Sequence, residues 1–137
     1  MVEVLIAVFL ISFGILALIS LQPQAWMLSG RSDSLGRSAG LLHEELQTNE
    51  AMLANPCNAN PCGGANPFLS TRTVWISGRG TAQAGDASFT VQTTIRDNGN
   101  NSWGVSVRVT WPGNNVGIGE SLTVTRQEHF RFPQGCV

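Results

Sequence analysis

Residues Val2 to Leu21 read VEVLIAVFLISFGILALISL, and Glu3, Ser12 and Ser20 are the only polar side chains among them. A helix of about 20 residues rises about 30 Å, the thickness of a bilayer's hydrocarbon core. The stretch 1–22 is therefore predicted to be a membrane-spanning helix. A cleaved signal peptide would need a basic segment before the apolar run and a small-residue cleavage site after it. No positive charge precedes the run, and Leu21-Gln22-Pro23 offers no such site. A plain anchor accounts for the apolar run but not for the acid inside it.

Downstream, residues 23–54 still read as helix. Leu28, Leu35, Leu42, Leu46 and Leu53 recur at helical spacing, with Arg31, Asp33, Arg37, Glu44, Glu45 and Glu50 off that stripe. Pro23 removes one helical hydrogen bond and is a candidate kink. Gly30, Gly36 and Gly40 each weaken the helix by about 1 kcal/mol relative to Ala. Such a helix is expected to need packing of its leucine stripe on another element. Asn55-Pro56 stops it. Residues 55–71, rich in Asn, Pro and Gly, are expected to be a loop carrying Cys57 and Cys62.

From Arg72 the period changes to two. Val74 and Ile76, then Phe89, Val91 and Ile95, then Val105, Val107, Val109 and Trp111, then Leu122, Val124, Phe130 and Phe132 each hold one parity. Alternation of this kind marks strands with one buried face. Turn signals at Gly78 to Asp86, Asp97 to Asn101 and Pro112 to Asn115 separate them. Residues 72–137 are thus predicted to form an antiparallel meander of roughly four strands. The leucine stripe is the cover its apolar face requires. The expected class is α+β: one long N-terminal helix packed on an antiparallel sheet. Arg126 and Glu128 fall on the inward parity of the last strand and read as a structural ion pair.

Eight basic residues, all arginine, face nine acidic ones for a net charge of -1. No basic stripe is present, so nucleic acid is not indicated as a partner. The three cysteines, Cys57, Cys62 and Cys136, are an odd number, which leaves at least one free or bonded to another chain. An exported domain permits a disulfide. Cys57–Cys62 would close a short loop; Cys136 could instead tie the tail to that loop. A zinc site lacks a fourth ligand at suitable spacing, with His43 and His129 far away in sequence. No metal, cofactor or catalytic residue is therefore assigned. No nucleophile elbow, metal motif or phosphate loop occurs. Gly78-Arg79-Gly80 and Gly117-Ile118-Gly119 read as turns. His43, beside Glu44 and Glu45, reads as part of a solvated helix face, and His129 as an exposed strand residue. Trp26, Trp75, Trp103 and Trp111 are mostly expected to pack in the core or on the sheet.

Glu3 is the odd feature, because a lone carboxylate in a spanning helix costs several kcal/mol unless it is paired or near an interface. The run Met1-Val2-Glu3-Val4-Leu5-Ile6-Ala7-Val8 resembles the N-terminal motif of type IV pilins and type II secretion pseudopilins. The continuation Leu10 to Leu18 is most similar to minor pilins of the PilV type. Beyond about the first 21 residues the likeness is one of layout. The resemblance implies a pilin-like fold and a non-enzymatic structural role in pilus assembly, with Glu3 pairing with the N-methylated amine of a neighbouring subunit. It implies an inner-membrane protein with a periplasmic C-terminal domain that later enters a filament, with other pilin subunits as partners. In the family four mature residues precede this glutamate, behind a glycine where prepilin peptidase cuts. Only Met1 and Val2 precede Glu3 here, so the resemblance implies a leader and two mature residues upstream, with that peptidase as a processing partner. The alternatives are a type II secretion pseudopilin and a single-pass anchored binding domain that never assembles.

Overall fold

A computed structural model describes residues 2–55, 57–58, 61–78 and 80–126. The elements run α1 (Val2–Ala54), β1 (Phe68–Ile76), β2 (Ala87–Gly99), β3 (Ser102–Trp111) and β4 (Asn114–Thr125). The strands form one antiparallel sheet in the order β1-β2-β3-β4. The expected α+β arrangement, one long helix packed on a four-stranded antiparallel sheet, is what the chain adopts.

The chain divides into two units, Met1–Gly36 and Arg37–Val137. In the second, Leu41, Leu42, Leu46 and Leu53 of α1 form one core with residues of β2, β3 and β4. Phe89, Val91 and Ile95 come from β2, Val105, Val107 and Val109 from β3, and all six are essentially inaccessible. Burying side chains of this size stabilises by about 1.5–3 kcal/mol each. The stripe predicted from Leu28 is buried only from Ser38 on: Leu28 and Leu35 are exposed. Helical spacing marks a face of the helix but not how far along it a cover reaches. The helix assignment is unbroken through Pro23.

Strand limits differ from the sequence reading at two points. β1 begins at Phe68 rather than at Arg72, with Phe68 opposite Ile95. Its outward neighbour Leu69 is exposed, which blurred the alternation. β4 begins at Asn114, directly after Pro112-Gly113, where Gly113 has φ 87°. Proline then glycine at positive φ suits a tight two-residue turn. Gly117-Ile118-Gly119 is therefore part of β4, not a turn. Gly117 has φ 66° and sits beside a register shift between Val109 and Trp111. Its amide and that of Val116 donate to Asn114 Oδ1 at 3.0 and 3.2 Å. The β2–β3 hairpin turns on Asn100 and Asn101, both at positive φ, as a tight hairpin of the right twist requires.

The loop between α1 and β1 is fixed at its far end by Asn66. Asn66 Nδ2 donates to Asp97 O at 3.3 Å, and Asp97 N donates back to Asn66 Oδ1 at 3.2 Å. Of the four tryptophans, Trp103 is buried and Trp111 half-buried against the core, whereas Trp26 and Trp75 are exposed. For those last two, core packing does not hold. Glu128, His129, Phe130, Phe132 and Cys136 lie outside the described residues.

Candidate functional site

The Val2–Gly36 part of α1 contains no buried residue. Leu5, Phe9, Leu10, Leu16 and Leu18 are each more than half exposed, and the most apolar window has a mean hydropathy of 2.9. Each such side chain forgoes about 1.5–3 kcal/mol while it faces water. Summed along the helix, that exceeds the 5–15 kcal/mol that stabilises a typical domain. The segment is long and apolar enough to cross a membrane.

The three polar groups of its apolar run, Val2 to Leu21, are handled in two ways. Ser12 Oγ donates to Val8 O at 2.7 Å and Ser20 Oγ to Ala17 O at 2.8 Å, so both hydroxyls are satisfied within the helix. Glu3 stands in the first turn of α1, exposed, with no hydrogen bond or ion pair among the described residues. The partial positive charge of the helix N-terminus favours a carboxylate there by about 0.3–1 kcal/mol. That offsets only part of the cost of placing it in hydrocarbon. The geometry leaves one anionic group at the head of an otherwise self-satisfied apolar rod.

No family model, curated protein or solved structure matches this chain.

The other candidate residues are the cysteines. Cys62 is a buried free thiol, so the short Cys57–Cys62 loop is not closed. Burial pushes the Cys62 thiol above its usual range, and the Asp97 charge adds to the rise. Cys57 is not a free thiol. Among the described residues no group of three or more His, Cys, Asp or Glu side chains is placed to hold a metal ion. His43 lies on the exposed face of α1, its Nε2 2.8 Å from Gln47 Nε2.

Two polar anchors fix α1 to the sheet, and sequence reasoning missed the role of the first. Glu45, placed off the leucine stripe, forms an ion pair with Arg72 on β1 and accepts from Thr93 Oγ1 on β2 at 3.0 Å. Asn49 Nδ2 also donates to it, at 3.3 Å. The only available signal was that Arg72 shares the inward parity of Val74 and Ile76. The second anchor is Arg126. Its Nε donates to Leu53 O at 2.9 Å and its Nη1 to Asn58 O at 3.1 Å. The guanidinium lies 4.7 Å from the centre of the Trp103 ring. Arg126 thus caps the carbonyl end of α1, where a cation is favoured.

Burial alone pushes the Glu45 carboxyl up. The hydrogen bonds from Arg72 and Thr93, with the Arg72 charge and Asn49, outweigh it, and the net displacement is downward. A lowered carboxylate pKa contributes stability that is complete above the ordinary value near 4.5 and is lost as pH falls through the folded-state value. Glu45→Gln is expected to cost roughly 1 kcal/mol at neutral pH, because Gln keeps an acceptor for Thr93 but loses the charge. The gap between wild type and variant is expected to be constant above the ordinary carboxylate value near 4.5 and to narrow progressively as pH falls below it. Urea unfolding of both proteins across pH checks this; a gap of constant size would show that the ion pair is not responsible.

Proposed function

We propose that this chain is a filament subunit, a minor pilin acting in type IV pilus assembly. Before assembly it sits in the inner membrane as a single-pass protein with its sheet domain in the periplasm. The observation that carries the reading is an exposed apolar helix with one unsatisfied carboxylate in its first turn. Transfer from bilayer to filament keeps the apolar surface covered, so hydrophobicity gives little net drive. A carboxylate–ammonium contact between neighbouring helices supplies register, because leaving either charge unpaired in a low dielectric is costly. Glu3 is the assembly contact, its partner the N-methylated terminal amine of an adjacent pilin subunit after prepilin peptidase processing. Exposed Trp26, just beyond the apolar run, suits the headgroup level, where aromatic side chains gather. The role is structural, not enzymatic. A type II secretion pseudopilin would use the same contact.

Breaking a buried ion pair costs about 3–5 kcal/mol, more than about a hundredfold in an association constant. Glu3→Ala is therefore expected to remain in the membrane fraction and to vanish from sheared filaments. Wild-type amounts of the variant in filaments would remove Glu3 from the mechanism. Wild-type protein confined to the membrane would leave only an anchored binding domain.

The reading also places the domain in an oxidising compartment. With Cys62 free and buried, Cys57 and Cys136 are the pair proposed to join, tying the tail to the loop after α1. Unreduced peptide mapping is expected to recover those two cysteines linked, with Cys62 alkylated only after denaturation. Three alkylated thiols would overturn the pairing.

A further inference from the structure

The face of the sheet that points away from the core is built in rows. Cross-strand register gives Arg96–Gly104–Thr123, then Thr94–Ser106–Ser121, then Gln92–Arg108–Gly119. Successive rows lie about 7 Å apart along the strands. The two arginines are the only charged side chains at outward positions in the four strands, on a chain whose net charge is -1. Both are exposed, and neither has an ion pair among the described residues.

Gly104 opens a hole in this surface. Lacking a side chain between Arg96 and Thr123, it leaves a depression of about 350 Å³. Arg96 and Asn98 wall it on one side, Thr123 on the other, with Thr94, Ser106 and Ser121 along the next row. Among the described residues no acidic one lines it. A neighbouring depression of about 290 Å³ lies beside Arg108, but only Ser106 and Ser121 offer it hydroxyls, so a sugar carboxylate belongs in the first.

We infer that the Gly104 depression is a binding site for the carboxylate-bearing sugars of an acidic polysaccharide. Arg96 supplies the planar fork that matches a carboxylate. The ring of hydroxyl and amide groups supplies the alternating donors and acceptors that sugar hydroxyls need. The depression is open and lies on a flat face, which suits a chain laid across the sheet rather than an enclosed small molecule. Two arginines fall short of the cationic density by which proteins hold nucleic acid. The site lies in the sheet domain and does not depend on filament assembly.

The test uses the full-length chain in detergent micelles, with calorimetric titration of polygalacturonate, neutral dextran and poly-glutamate. Polygalacturonate is expected to bind, with dextran and poly-glutamate at least about tenfold weaker. Arg96→Gln is expected to weaken binding on the order of tenfold. Gly104→Val gives a second route. A Cβ there would meet only the Asn98 side chain, at 3.5 Å or more, and Val suits a strand, so the fold accepts it while the depression fills. It is expected to match or exceed the loss in Arg96→Gln, and Arg31→Gln on the helix to lose nothing. No binding of polygalacturonate, equal binding of poly-glutamate, or wild-type affinity in both sheet variants would each overturn the assignment. None of these outcomes bears on Glu3.

Discussion

Gly117→Ala is expected to lower the unfolding free energy by roughly 2–5 kcal/mol, a large fraction of the stability of a domain of this kind. Two costs combine. Gly117 has φ 66°, in the left-handed region that an L side chain enters at a cost of about 1–2 kcal/mol. A Cβ there would also lie 2.1 Å from Val109 O and 2.8 Å from Thr110 Cγ2. The carbonyl is backbone and cannot swing aside, so relief requires prising β4 away from β3 next to the register shift. Gly113→Ala is the control. Gly113 has φ 87° but open space around it, so only the conformational cost applies. Equal losses in the two variants, read by chemical denaturation followed through tryptophan fluorescence, would show that the close approach to Val109 is not real.

Arg126→Ala is expected to cost about 3 kcal/mol. It leaves the buried Leu53 O without its side-chain donor, at about 1–3 kcal/mol, and removes a second, weaker bond at the half-buried Asn58. It also removes a cation from the face of Trp103, worth about 0.5–2 kcal/mol. Leu53 is fully buried, so water cannot readily replace the lost bond at its carbonyl. Arg126→Met keeps the apolar stem while removing the charged head. If the head is what matters, Met loses nearly as much as Ala; if packing of the stem dominates, Met recovers most of the loss. Arg126→Lys should fall between, because one ammonium cannot span two carbonyls as a fork does. Wild-type stability in Arg126→Ala would discard the cap.

Most of the architecture was legible because it rests on periodicity. The alternation of Phe89, Val91 and Ile95 and of Val105, Val107 and Val109 reports a buried face directly, and those residues are the core. The leucine spacing identified the correct face of α1 but not where burial starts, since Leu35 keeps the period and is exposed. β1 was read short because Leu69 is apolar on the outward side. β4 was read late because Gly117 and Gly119 look like turn residues, whereas Gly117 sits at the register shift and Gly119 pairs in register with Arg108. Arg126 was placed on the inward parity, yet its partners are main-chain carbonyls, which leave no trace in a pattern of side chains. Glu45 was hidden for a related reason: its partners come from two strands 27 and 48 residues further along the chain. Glu3 was conspicuous from the start, because a single acid in an apolar run needs no tertiary information to be noticed.

The sealed thiol of Cys62 gives the protein a built-in gauge of its own opening. Alkylating reagents attack thiolates, and here the group is both shut away from solvent and biased toward its protonated form. The rate at which it is labelled therefore counts the excursions in which the segment beside Asp97 lifts away, without any engineered probe. The same seclusion keeps the Cys62 thiol out of disulfide exchange.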